Sequence, residues 1–475
     1  MKQTTKSLFY LVFAIYPLFA LHSALMQGYF VDGMIYASLA RNLAEGYGSF
    51  WHMSFSEELF NSFREHPPLG IYIQSLFYSL FGDTELIDKY YGFVIGFGIL
   101  GLIAMLRNRL YADCGHGWFA ILVFLLFPLT TYVLSYNWLE HILTLNILLS
   151  VLAVMVALTS NAQWVNVVGS LLAGTLVFTG VMIKGPTALY PLAVPFIAWV
   201  TLRDVDTRRA LTALALMSLA LAASIWFFIL QSAEASAFFG EYLQHQVAGS
   251  LRGENSVHVR TKLLESLLTE ELIAPLVIFS LMMWWNKVGW HRLRPDSRFW
   301  FFLLVALSGS VPMMLSPKQN DYYLFISLPF YALSIAALFE PLRESLESKV
   351  SSGQRLVKTA LLLLLLALVV MLVRQGEYRK DKAYHQSFTE PGITLPRRVR
   401  VSACPLELFM VDWNIAVNFQ RYYAATLTRL PDQEYLVTTS KDATHCIDET
   451  KYTLASESET PYVLYRRKDM GAGNE

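Results

Sequence analysis

Asp32-Gly33-Met34-Ile35-Tyr36 and Arg64-Glu65-His66-Pro67-Pro68-Leu69 bracket the stretch whose reading decides the fold of this chain. An apolar segment, 7–26, precedes it, and a shorter apolar run, 69–81, follows it. Between them stand an acid, a second acid, an imidazole and a proline pair. Ionisable groups beside hydrocarbon are costly, so in a membrane chain they mark function by default. Each also has a plainer use. Asp32 can cap a helix whose apolar positions include Ile35, Leu39 and Leu43, and Pro67-Pro68 can simply start one. The stretch therefore needs partners elsewhere in the sequence.

Working outward, the 475 residues are 55% hydrophobic and only 16% charged, with net charge zero and mean hydropathy +0.40. A soluble domain carries about 25% charge. The deficit is concentrated in long apolar runs, which makes this a polytopic membrane protein. Zero net charge offers no nucleic-acid partner. The three cysteines form neither a CxxC pair nor a zinc spacing. Lys2 and Lys6 precede the first span, and no small-residue cleavage site follows it, so it reads as an uncleaved anchor. No internal repeat with a period of roughly 20–50 residues is visible.

Eleven spans fit the hydropathy: 7–26, 86–106, 118–133, 142–158, 165–182, 187–202, 211–230, 272–285, 299–315, 322–339 and 359–373. One set of loops holds fifteen Lys and Arg, and the opposite set holds seven, namely Arg41, Arg64, Lys184, Arg252, Arg260, Lys262 and Lys318. The positive-inside rule then places the N-terminus in the cytoplasm and the tail outside. The run 69–81 is too short to span and fits an interfacial or re-entrant helix. The expected fold is an all-α polytopic membrane domain, 1–373, with interfacial helices in its first outer loop, 27–85. A second large outer loop covers 231–271. A small α/β domain, 374–475, lies outside. Its strand-like runs are 398–401, 435–438 and 462–465, with a helix at 414–423. Cys404 and Cys446 both fall there and can pair in an oxidising compartment. Cys114 falls in an inner loop.

The ionisable groups at span ends share the outer side. Besides Asp32, Glu65 and His66 they are Glu140, in Asn137-Trp138-Leu139-Glu140-His141; Lys184, in Lys184-Gly185-Pro186; and Lys318, in Ser316-Pro317-Lys318-Gln319-Asn320-Asp321-Tyr322-Tyr323. Lysines at an interface can simply snorkel. Together with carboxylates on one face, they suit chemistry on a substrate with a phosphate and a hydrocarbon tail. Asp32, His66, Glu140, Lys184 and Lys318 are expected to line one outward cavity.

The pattern resembles a known family. An Asp near the end of the first span, then His-Pro-Pro-Leu opening a short helix, is similar to the polyprenyl-phosphate-dependent glycosyltransferases of the C-type fold. These include the protein O-mannosyltransferases of glycosyltransferase family 39 and the lipid A aminoarabinose transferases. Glu140, Lys184-Gly185-Pro186 and Lys318 with Tyr322, Tyr323, Leu328 and Pro329 extend the likeness over about 7–340. Gly33 stands where many relatives carry a second acid, and the tail has no counterpart.

The resemblance implies inverting transfer of a sugar from a polyprenyl-phosphate donor, undecaprenyl first among them. The acceptor is a hydroxyl of a lipid, glycan or protein at the outer face of the inner membrane. Asp32 is then the base and Glu140 orients a sugar. Lys184, Lys318, His66 and Arg260 hold the donor phosphate. A divalent metal is left open, with Glu65 and His245 or His258 as its ligands. The alternatives are a lipid-linked saccharide flippase or transporter, and an O-antigen ligase or polymerase. A flippase needs polar groups through the membrane depth, and a ligase needs strongly basic outer loops. Neither is evident here.

Overall fold

The computed structural model describes residues 3–84, 86–111, 117–252, 259–350, 353–378, 395–439, 441–456 and 462–468. Cys114 and His258 lie outside them. The chain forms two compact units. The first holds residues 1–24, 64–70 and 89–373, and the second holds 25–63, 71–88 and 374–475.

The first unit is helical and makes this a multi-pass membrane chain. Among the described residues, seven helical stretches are long and apolar enough to cross a bilayer, or eight with one bent pair. In chain order the helices begin with α1 (Gln3–Leu21), α2 (Val31–Ala44), α3 (Leu69–Phe81), α4 (Ile87–Leu110), α5 (Gly117–Leu125) and α6 (Pro128–Leu134). There follow α7 (Leu139–Thr159), α8 (Gln163–Lys184), α9 (Val194–Thr201), α10 (Thr207–Ile225), α11 (Ala233–Tyr242), α12 (Gly249–Arg252) and α13 (Lys262–Glu265). The last are α14 (Ile273–Trp285), α15 (Ser297–Leu315), α16 (Leu328–Leu338), α17 (Glu340–Lys349) and α18 (Gly353–Val373).

Three places depart from a simple count of spans, each for a local reason. The segment expected as one span at 118–133 is broken, and α5 and α6 meet at 86°. Pro128 cannot donate into the preceding turn and pushes Phe127 to an extended conformation. The Leu129 N–H at the start of α6 finds the Glu271 carboxylate at 3.3 Å. The helix expected from 272 starts ten residues earlier, because α13, a π-helical segment Ser266–Glu271 and α14 run on continuously. Its acidic residues disguise that continuation in a hydropathy scan.

The third place is Lys184-Gly185-Pro186. Gly185 takes φ +71°, and the chain continues as a 3-10 segment, Gly185–Ala193, before α9. A Cβ on Gly180 would lie 2.7 Å from the Ala188 Cβ. Eight residues along a continuous α-helix span about 12 Å, so the chain doubles back here. The turn expected between two spans is present.

Elsewhere the helices start where side-chain caps allow. Asp206 accepts from the Arg209 N–H at 2.8 Å, and Asp296 accepts from the Arg298 and Phe299 N–H groups. α18 buries only Ala360 and Ala367, and most of its leucines are exposed. Small residues at a helix contact with leucines outward suit a lipid-facing helix.

The second unit carries a five-stranded sheet of order β2-β1-β3-β5-β4, with β1 Arg400–Cys404, β2 Thr426–Thr428, β3 Tyr435–Thr439, β4 Tyr452–Ser456 and β5 Tyr462–Arg467. β1 is parallel to β2 and β3, and β5 is antiparallel to β3 and β4. A parallel pair needs a crossover, which the helix Trp413–Tyr423 supplies. The expected strands and helix are all present, while β2 and β4 had no clear signal. α2 packs on this helix. The buried Arg41 donates to the carbonyls of Gln420 and Arg421 at 2.6 and 3.1 Å, a cation on the C-terminal carbonyls of a helix. Arg421, itself buried, meets Asp83 at 2.9 Å and Asp88 at 3.2 Å.

Cys404 and Cys446 are bridged. Closing a loop with a sequence separation of 42 contributes about 4 kcal/mol in the chain-entropy picture. Peptide mapping of the unreduced protein is therefore expected to recover the two cysteines in one cross-linked species that reduction separates. Two alkylatable thiols in unreduced protein would contradict the bridge.

Candidate active site

The site is assembled at helix ends of the first unit. Pro67 and Pro68 immediately precede α3, where a missing N–H costs nothing. Gly70 then lets the chain come close, since a Cβ there would lie 2.8 Å from the Leu139 side chain and 3.2 Å from that of Ile183. This brings the 64–68 segment beside the start of α7, which carries Glu140, and the end of α8, which carries Lys184.

Glu140 is buried, with 1% of its surface exposed, in the first turn of α7. It is ion-paired with the Lys184 ammonium. That ammonium also lies 5.4 Å from the Tyr322 ring centre and 5.3 Å from that of Tyr323. Tyr322 packs in turn on Trp138 at 4.5 Å. A carboxylate and aromatic faces thus fix the position of this cation, and each aromatic contact contributes roughly 0.5–2 kcal/mol. Lys318 follows α15 in the short loop before the 3-10 segment Asp321–Ile326 and is half-buried. Among the described residues it has no carboxylate partner.

Glu65, His66, Lys184 and Lys318 line one cavity of about 470 Å³, with Tyr190, Tyr242, Tyr323, Gln246 and Ser250. That is the size of a small-molecule site. A second cavity of about 320 Å³ shares Pro186 and Tyr242 with it. Its other walls are almost wholly apolar, including Val181, Ile225, Ile229, Phe239 and Leu243. A chamber of mixed lining that carries two lysines, beside an apolar slot, suits an amphiphile with an anionic head. Tyr242 reaches this boundary because Gly185 has no side chain; a Cβ there would lie 2.1 Å from the tyrosine oxygen.

Withdrawal from water, and then the charges of Lys184 and Lys318, hold the His66 imidazole well below its ordinary value. It is neutral at pH 7 and can accept or donate one hydrogen bond, but adds no charge. The unfolded chain takes up a proton as the pH falls through about 6.5, while the folded site does not. The unfolded state then binds more protons, so stability falls with decreasing pH and levels off once the folded imidazole also titrates. His66→Gln is expected to flatten this part of the profile. Thermal unfolding of both proteins between about pH 7.5 and about pH 5 measures it, and identical slopes would contradict it.

The remaining expected residues are placed as follows. Asp32 belongs to the second unit, half-buried in the first turn of α2. It is not the N-cap, because the helix begins at Val31 and Phe30 holds the extended cap position. Asp32 is instead where a negative charge favours the helix dipole. The Arg260 side chain is exposed, and its carbonyl accepts from Gln319 at 2.8 Å. His245 is exposed in the π-helical segment Leu243–Ala248. Among the described residues no three His, Cys, Asp or Glu come together as a metal site. Glu65 and His245 alone do not make one.

The tyrosines 190 and 242 and the polar groups 246 and 250 were not anticipated. Gln246 lies in the π-helical segment Leu243–Ala248 and Ser250 in α12, a stretch without strong apolar periodicity, and a tyrosine in a membrane chain reads equally well as an interface anchor.

No protein-family model and no curated protein matches this sequence. Solved structures do. The lipid A aminoarabinose transferase ArnT from Cupriavidus metallidurans in the apo state aligns with a TM-score of 0.63 at 11% identity, over 98% of each chain. The same protein bound to undecaprenyl phosphate aligns at 0.62, 11% and 98% of each. The oligosaccharyltransferase AglB from Archaeoglobus fulgidus, in complex with an inhibitory peptide and a dolichol-phosphate, aligns at 0.49 and 12%, over 97% of this chain and 74% of its own. The full-length likeness to ArnT shows that this chain, tail included, has the C-type glycosyltransferase fold.

Proposed function

We propose that the protein is an integral membrane glycosyltransferase. It moves a sugar from a polyprenyl-phosphate donor to an acceptor hydroxyl on the outer face of the membrane. The observation that carries this reading is the single cavity bearing Lys184, Lys318 and a neutral His66 beside an apolar slot. The likeness in fold to a protein solved with undecaprenyl phosphate supports it.

The chemistry runs as follows. The acceptor hydroxyl is a poor nucleophile, and Asp32 takes its proton as the oxygen attacks the anomeric carbon. The bond from that carbon to the phosphate oxygen breaks on the opposite side, so the configuration inverts. The polyprenyl phosphate leaves with the bonding electron pair. Its developing charge needs preorganised cations rather than a proton, and Lys184 and Lys318 supply them. His66 donates a hydrogen bond, and Arg260 joins from the 231–271 loop. Glu140 acts through Lys184, whose ammonium it fixes. The disulfide in the tail supports an outside placement of that domain, because such bonds persist in oxidising compartments.

Mass spectrometry of envelope lipids, glycans and glycoproteins, from cells with and without the gene, tests the proposal. A sugar missing from one acceptor class is the expected result and identifies both substrates. An unchanged envelope under conditions where the protein is made would overturn it.

A further inference from the structure

Gln319 is completely buried next to Lys318, and its amide is fully engaged with backbone. Its Nε2 donates to the carbonyls of Arg260, Met314 and Ser316 at 2.8, 2.6 and 3.2 Å. Its Oε1 accepts from the Leu263 N–H at 3.1 Å. One side chain thus joins two segments that are far apart in sequence. One is 260–263, at the start of α13, and the other is the end of α15 with the loop that carries Lys318. An exposed pair, Lys262 with Asp321 at 3.5 Å, joins the same two segments.

We propose that Gln319 is a positioning residue that latches the 260–263 segment to the Lys318 loop and so presents Lys318 to the cavity. The inference rests on the proposed role of Lys318 as a ligand of the donor phosphate. A buried amide with both donor and acceptor satisfied acts as a substitute peptide group, and every member of such a network depends on the others. The shape of the contact set makes the residue specific. Glutamate would turn an oxygen toward three carbonyls. Asparagine is one methylene short. Leucine fills the space but leaves the buried Leu263 N–H and three part-buried carbonyls without this partner. The nearby ion pair is solvent-exposed and contributes little by itself, so it does not replace the amide.

Two readouts on full-length protein in detergent test the latch. The first needs no ligand: trypsin cleavage after Arg260 and Lys262, followed by mass spectrometry. Gln319→Leu is expected to speed these cuts by about tenfold or more, as lost buried hydrogen bonds free the segment. The second is binding of undecaprenyl phosphate. Gln319→Leu should weaken it by about tenfold, Lys318→Ala should do the same, and the double variant should lose little more than either. A destabilisation of general origin would instead add to the Lys318 effect.

Unchanged cleavage overturns the latch. Faster cleavage with wild-type binding, or with losses that add independently, overturns the positioning role. Wild-type protein that does not bind the lipid phosphate at all overturns the functional reading on which that role rests. Gln319→Asn keeps the amide and is the second variant for both readouts. Intermediate values from it support the proposal, and values equal to wild type overturn it.

Discussion

Asp32→Asn is expected to insert and fold normally yet lose sugar transfer by about 10²–10⁴-fold, the usual contribution of a positioned general base. The substitution keeps the shape of the side chain, removes its charge and basicity, and replaces one acceptor oxygen with an N–H donor. Its effect on stability should be small, because a half-buried charge in the first turn of a helix contributes about 0.3–2 kcal/mol. The leaving group does not compensate. A phosphate departs without protonation, so the acceptor hydroxyl is the group that most needs help. Binding of undecaprenyl phosphate should be unchanged, since Lys184 and Lys318 carry it. Asp32→Glu should recover part of the rate. The measurement is restoration of the missing sugar in cells lacking the gene, with protein level and monodispersity checked alongside. Near wild-type restoration by Asp32→Asn would remove Asp32 from the mechanism.

Much of this was legible in the sequence because membrane chains advertise their costs. Hydrocarbon tolerates few charges, so Glu140, Lys184 and Lys318 stand out at span ends, and Gly185-Pro186 signals a reversal through the conformations those residues allow. The structure brings His66, Lys184 and Lys318 to one cavity with Glu65, whereas Asp32 and Glu140, expected there too, are not among its lining residues. What was not legible depends on long-range closure. Nothing local to Gln319 announces that its amide will meet residues 260 and 263. Nothing in the apolar run 118–133 shows that Phe127-Pro128 bends it to nearly a right angle. The 231–271 loop hides the start of a long helix behind Glu265, Glu270 and Glu271. Most of the first outer loop, residues 27–63 and 71–85, clusters with the tail. The reason is visible at α2, which is buried over most of its surface and whose Arg41 caps the helix Trp413–Tyr423. An apolar pattern on a helix tells that a face is buried, not whether lipid or protein covers it.

The Glu140–Lys184 pair gives the second large effect, and it separates stability from binding. Both groups are nearly inaccessible, with side-chain exposures of 2% and 11%. Breaking such a pair strands a charge in a low-dielectric site, at about 3–5 kcal/mol. Glu140→Leu and Lys184→Met should therefore each lower the unfolding temperature in detergent clearly. The double variant should recover most of the loss, because a well-packed apolar pair is often as stable as the ion pair it replaces. Binding should follow a different order. Glu140→Leu keeps the ammonium and removes the carboxylate that competes for it, so undecaprenyl phosphate should bind at least as tightly as to wild type. Lys184→Met and the double variant should both bind about 10–100-fold more weakly, the loss of one hydrogen bond to a charged group. A pair that served only to hold the helices together would make binding track stability, and the double variant would then regain its affinity. If the double variant is stable and still does not bind, the lysine was placed for the ligand and the glutamate was placed for the lysine.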